Sequence, residues 1–127
     1  MPPTLAGYVH RVRMPFNANA IGQAAARAAL GDRAHVDRSR TENLAGIEQV
    51  TSGLRALSMK VTPSVGNFVL AEVADRKDTM ELYQALLVRG VVVRPVGIYG
   101  LPRHLRITIG TAAQNSRFLD TVKAVLS

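Results

Sequence analysis

The chain has no cysteine. A disulfide scaffold, a cysteine nucleophile and a thiolate metal site are therefore excluded. Histidine is scarce, and His10, His35 and His104 stand too far apart for a local metal-binding motif. Aromatic residues make up 5% of the sequence, too few to form a stacking platform for single-stranded nucleic acid. No apolar run approaches the roughly 20 residues of a membrane-spanning helix. The opening Met-Pro-Pro-Thr has neither the basic start nor the apolar stretch of a secretory signal. A soluble, cytoplasmic protein with no membrane partner is the expectation.

What is present suits a folded domain. The 127 residues are 47% apolar and 20% charged, enough to bury a core and at odds with disorder. That length is one domain at most. Net charge is +7, and only three of the sixteen cations are lysine: Lys60, Lys77 and Lys123. A basic balance suits an anionic partner. The arginines, however, are scattered from Arg11 to Arg117 among the acids, with no block of five like charges. That pattern argues against a nucleic-acid groove. It leaves two readings open: a solvated arginine-rich surface, or a few arginines that hold a small anionic ligand.

Residues 3–12 read as a short helix, because proline suits a first turn and Leu5, Tyr8, Val9 and Val12 recur at helical spacing. Pro15 breaks it. Asn19 is placed to cap a second, alanine-rich helix over 20–30, with Gly31 as its C-terminal cap. Asp32 caps a long helix over 33–57, about 38 Å at the helical rise. The period then changes. Residues 61–64 read as a short extended piece and turn, 67–73 as a strand, and 74–77 as a turn. Asp78 or Thr79 caps a helix to Val88, which Gly90 ends. Residues 91–94 (Val-Val-Val-Arg) read as a β-branched strand and 95–103 as a Gly/Pro loop. Residues 105–109 (Leu-Arg-Ile-Thr-Ile) alternate as a half-buried strand does. Thr111 caps the last helix, 112–126. The class predicted is α+β: a small three-stranded sheet with helices packed on one face, preceded by a long bracing helix.

The last third carries a resemblance. Gly90-Val-Val-Val-Arg94-Pro, Tyr99-Gly-Leu-Pro102 and Leu105-Arg-Ile-Thr-Ile-Gly-Thr111 are similar to the C-terminal region of the fold-type I pyridoxal-phosphate aminotransferases. Arg11-Val-Arg-Met-Pro-Phe-Asn17-Ala-Asn19, Pro63-Ser-Val-Gly-Asn67-Phe-Val-Leu70 and Asn115-Ser-Arg117-Phe-Leu119 fit the histidinol-phosphate aminotransferase branch. The similarity runs in order over essentially the whole chain. It covers only the C-terminal part of such an enzyme, which is roughly three times the length of one small domain. The resemblance implies N-terminal helices over 1–31 at the junction of a large and a small domain, and the C-terminal small domain itself over 32–127.

The resemblance also implies a cofactor, pyridoxal 5′-phosphate, and a transamination between L-histidinol phosphate and 2-oxoglutarate. It places the lysine that binds the cofactor upstream of the matched region. Lys60, Lys77 and Lys123 accordingly read as surface cations, no catalytic or cofactor-binding residue is assigned here, and the chain alone is expected to be inactive. What the resemblance does assign is anion binding. Arg106 falls at the family's substrate-anion arginine and Arg94 at a second anion-contacting position. Guanidinium suits that role because it offers a planar, two-pronged donor that stays charged. Either arginine has another reading, as a bridge to an acid on a neighbouring helix. Tyr99, in the intervening loop, either lines the site or packs on Pro102. Asn17 and Asn19 read as turn and capping residues, and His10 and His104 as solvent or packing histidines. The implied partners are a small anionic substrate (phosphate or carboxylate), the missing large domain and, through the apolar surface its absence bares, a second copy of the chain. A different class of reading stays beside this one: a stand-alone α+β module that binds an anion or a protein without catalysis. The gene sequence preceding Met1 separates the two.

Overall fold

A computed structural model describes residues 1–73 and 77–127. The predicted turn over 74–77 therefore lies outside the described residues except for Lys77. The elements run in the order α1 (Pro3–Val12), α2 (Ala20–Ala29), α3 (Arg33–Ala56), β1 (Lys60–Thr62), β2 (Phe68–Glu72), α4 (Thr79–Val88), β3 (Arg94–Pro95), β4 (His104–Thr108) and α5 (Ala112–Leu126), with a 3-10 turn at Gly97–Tyr99 between β3 and β4. They divide into two compact units, Met1–Val36 and Asp37–Ser127, and α3 crosses the boundary. Among the described residues no helix is long and apolar enough to cross a membrane.

In the first unit local chemistry sets the helix ends. The Asn19 side chain accepts a hydrogen bond from Gly22 N at 2.7 Å, which starts α2. Asp32 accepts one from His35 N at 2.9 Å, which starts α3. Gly31 is not the left-handed cap expected of it. The cap is Leu30, at φ −59° and ψ −23°. Tight turns at Gly31 N→Ala28 O and Asp32 N→Ala29 O carry the chain into α3 without a left-handed residue. Neither α1 nor α2 holds a buried residue, and Val12, Ile21 and Leu30 are each more than 80% exposed.

Helices held by their own hydrogen bonds alone, and this short, are marginal. Amide exchange on the chain by itself should therefore find residues 3–30 poorly protected and β4 well protected. Equal protection of the two would mean that α1 and α2 are anchored as firmly as the sheet.

The second unit holds the core. Val50 and Leu54 of α3, Leu82 and Leu86 of α4, and Phe118 and Val122 of α5 pack with Val61, Val69, Ala71, Leu105 and Ile107 of the sheet. The intervening strand residues are less buried, so the helices cover one sheet face and leave the other open. The α+β class is as the sequence reads, but the sheet has four antiparallel strands, not three, in the order β1-β2-β4-β3. The extended piece after α3 pairs as β1, with Lys60 opposite Glu72 and Val61 opposite Ala71. The β-branched run at 91–93 is unpaired until Arg94. The reason lies at the end of α4: Gly90 N bonds Leu87 O and Val91 N bonds Leu86 O, with Gly90 at φ +74°. This paired closure of the helix end draws Val91 away from the ladder.

Candidate functional site

The two predicted arginines meet through strand register. β3 and β4 run antiparallel with Arg94 directly opposite Arg106, while Arg106 faces Leu70 of β2 on its other side. Leu105 and Ile107, at 2% and 4% exposure, turn into the core. Alternation along β4 therefore puts Arg106 on the open face, with Arg94 and Leu70 beside it.

Two like charges directly across a strand pair repel, and no acid among the described residues pairs with either. The ion pairs among those residues both centre on Glu72, with Lys60 at 3.6 Å and Arg103 at 3.4 Å. The bridge from Arg94 or Arg106 to a helix acid, open at the sequence level, is therefore not made among the described residues. Arg94 instead donates from Nη2 to the Tyr99 hydroxyl at 3.3 Å. Tyr99 ends the 3-10 turn, and Gly100 after it sits at φ +78°, which a side chain rarely tolerates. Tyr99 thus joins the pair through Arg94 and stays 64% exposed.

Arg106 is held differently. Its Cζ lies 5.2 Å from the centre of the Phe68 ring. Its Nε is buried and has no hydrogen-bond partner. A buried donor left unpaired is rare, and here it belongs to one of two facing cations. The arrangement is one to which a small anion with two or more oxygens could bind. Phe68 was not singled out at the sequence level. The available signal was an aromatic two positions before Leu70 on a strand of alternating pattern, but nothing local tells which strand it faces.

The other candidate groups are placed as follows. Lys60 has 87% of its side chain exposed and pairs with Glu72. Lys77 donates to Val125 O at 3.2 Å, and Lys123 is exposed on α5. His10 is exposed. His104 is half-buried opposite Glu72, with Nδ1 unpartnered. A cleft of about 420 Å3 between the segment after α4, the end of β4 and α5 includes Arg117 but none of Arg94, Tyr99 and Arg106. Arg117 there is engaged with Arg89 O at 3.4 Å. Among the described residues no group of three acidic or imidazole side chains gathers as a metal site would need.

A family profile described as aminotransferase class I and II matches residues 2–122. Histidinol-phosphate aminotransferase of Methylobacillus flagellatus is 48% identical over 124 residues, which are 98% of this chain and 33% of that protein. A protein of Thiobacillus denitrificans named histidinol-phosphate aminotransferase 1 is 51% identical over 119 residues, 94% of this chain and 30% of that protein. The chain thus spans about a third of the length of the curated relatives it matches. Among solved structures, histidinol-phosphate aminotransferase from Sinorhizobium meliloti in complex with pyridoxal-5′-phosphate superposes with a TM-score of 0.70 at 21% identity, covering 97% of this chain and 35% of that one. That likeness is one of fold.

Proposed function

Because the chain belongs to the class I and II aminotransferase family, we propose that it forms the substrate-anion-binding part of a longer pyridoxal-phosphate-dependent histidinol-phosphate aminotransferase. The observation that carries this reading is the facing pair Arg94 and Arg106 without an acid among the described residues.

The family's cofactor supplies an aldehyde that accepts the amino group. The three lysines of this chain do not fit its covalent attachment: Lys60 and Lys123 are exposed, and Lys60 and Lys77 are engaged with Glu72 and a main-chain carbonyl. The chemistry here is on the substrate side. The phosphate of an amino-alcohol phosphate, or a carboxylate of 2-oxoglutarate, presents paired oxygens to guanidinium donors. One pair of arginines serves both half-reactions because both ligands carry two oxygens on one anionic centre.

One experiment with two arms tests the proposal. The full-length protein should form glutamate from L-histidinol phosphate and 2-oxoglutarate. The chain alone, mixed with pyridoxal phosphate and dialysed, should keep no aldimine band. Absence of glutamate in the first arm would overturn the substrate. A stoichiometric band in the second, lost on replacing one of Lys60, Lys77 or Lys123, would overturn the division of labour.

A further inference from the structure

We propose that Phe68 is a positioning residue for the substrate anion: its ring holds the Arg106 guanidinium without taking up any of its N–H donors, so that the Nε–H stays unpaired. The inference rests on the anion-binding role of Arg106 and adds the means by which that donor is kept free.

Arginine can offer an anion either its two terminal nitrogens or its Nε together with one terminal nitrogen. In most surroundings Nε finds a local acceptor. Here it has none, although it is buried. Three features account for this. The strand neighbour on one side of Arg106 is Leu70, which brings no acceptor, and on the other is Arg94, which brings only donors. The diagonal neighbour is Phe68, whose partner across β2 and β4 is Thr108. At 5.2 Å from Cζ the Phe68 ring is within the range in which the π cloud attracts a guanidinium. An aromatic face attracts the cation without accepting any of its five N–H groups in a conventional hydrogen bond. Phe68 thus stabilises Arg106 beside a second cation while leaving its donors unspent. An acid at this position would do the first and forfeit the second. Phe68 is 39% exposed, more than core packing alone asks of a phenylalanine in a central strand.

The test combines kinetics on the full-length protein with a spectroscopic readout on this chain. Phe68→Leu removes the ring and keeps an apolar side chain, and Phe68→Tyr keeps the ring. Phe68→Leu should raise KM for L-histidinol phosphate and for 2-oxoglutarate about fivefold, the scale of one partly buried cation–π contact, with kcat changed less than about twofold. Phe68→Tyr should restore both KM values. In an Arg106→Lys background, Phe68→Leu should add little. In the chain labelled with 15N at arginine, the Arg106 Nε–H resonance, identified by its loss in Arg106→Lys, should be shielded by the ring. It should move downfield in Phe68→Leu and stay in Phe68→Tyr.

A resonance unmoved by Phe68→Leu would overturn the inference, as would a fivefold KM effect of Phe68→Leu that persists undiminished in the Arg106→Lys background. If Arg106→Lys itself leaves both KM values unchanged, the anion reading falls and the Phe68 assignment with it. That arm distinguishes this failure from a failure of the Phe68 step alone.

Discussion

On the proposed function, replacing Arg106 by lysine in the full-length protein is expected to lower kcat/KM for both the proposed phosphate substrate and the proposed oxo-acid by about 1.5–3 kcal/mol, the scale of a charge-assisted hydrogen bond. Each 1.4 kcal/mol is a factor of ten, so the loss is more than tenfold at the low end. Charge is conserved in this substitution, and long-range attraction of the anion should survive. What goes is geometry. Lysine offers a compact ammonium in place of a planar two-pronged donor. It also surrenders the buried Nε–H, which is unpartnered in the chain as it stands. Arg94 cannot substitute, because it sits one strand further out and already shares Nη2 with Tyr99. An unchanged kcat/KM for both substrates would reduce Arg106 to a surface cation.

Gly46→Val should unfold the second unit more readily than any change on its open face. A β-carbon built on Gly46 collides with Ile109 Cγ2 and comes within 2.9 Å of Asn115 Nδ2. Asn115 is 3% exposed. Its side chain accepts from Gly110 N at 2.9 Å and donates to Gly110 O at 3.1 Å and to Gln49 Oε1 at 3.3 Å. These bonds tie the end of β4 and the start of α5 to α3. A larger residue at 46 must either push α3 away or displace the asparagine. Overpacking costs about 1–3 kcal/mol, and unpairing a buried polar group costs a similar about 1–3 kcal/mol. The expected loss is at least about 2 kcal/mol, read as a lowered denaturation midpoint at constant slope. Gly7→Ala is the control: nothing lies within 4 Å of a β-carbon there, and alanine is the better helix former. It should be neutral or slightly stabilising. A Gly46→Val protein with an unshifted midpoint would show that α3 is not held this close.

The parts of the fold that could be read in advance are those decided within one helical turn. Pro3, Asn19, Asp32, Asp78 (or its neighbour Thr79) and Thr111 read as helix starts, and the structure settles the fourth on Asp78. The observed bonds from Gly22, His35, Met80 and Gln114 amides to the last four of these side chains involve partners two or three residues away. Gly90 closes α4 by the same short-range logic. Alternation along 105–109 likewise put Leu105 and Ile107 inside and Arg106 outside, because side chains of a strand point alternately to its two faces. Gly31 failed as a cap because the next helix starts so soon that ordinary right-handed turns bridge the gap.

Arg94, Tyr99 and Arg106 were nominated from residue type and from the likeness to a family, and the sequence could carry them no further. That Arg94 stands opposite Arg106, that no described acid comes to either, and that Phe68 lies under one of them are properties of register. Register depends on how three strands, drawn from segments up to 38 residues apart between Phe68 and Arg106, settle on one layer of helices. The fourth strand was missed for the same reason, since three residues at 60–62 form a strand only because β2 offers them an edge. Gly46 carried no signal either: in a helical stretch it reads as a weak helix former, and only the approach of Ile109 and Asn115 gives it a purpose. Sequence by itself determined where helices start and stop and which side chains of a strand share a face, because those energies are spent between near neighbours. Tertiary structure alone decided which strands pair, which cations face each other and which donor is left without an acceptor, because those depend on contacts the chain makes only once it has folded back on itself.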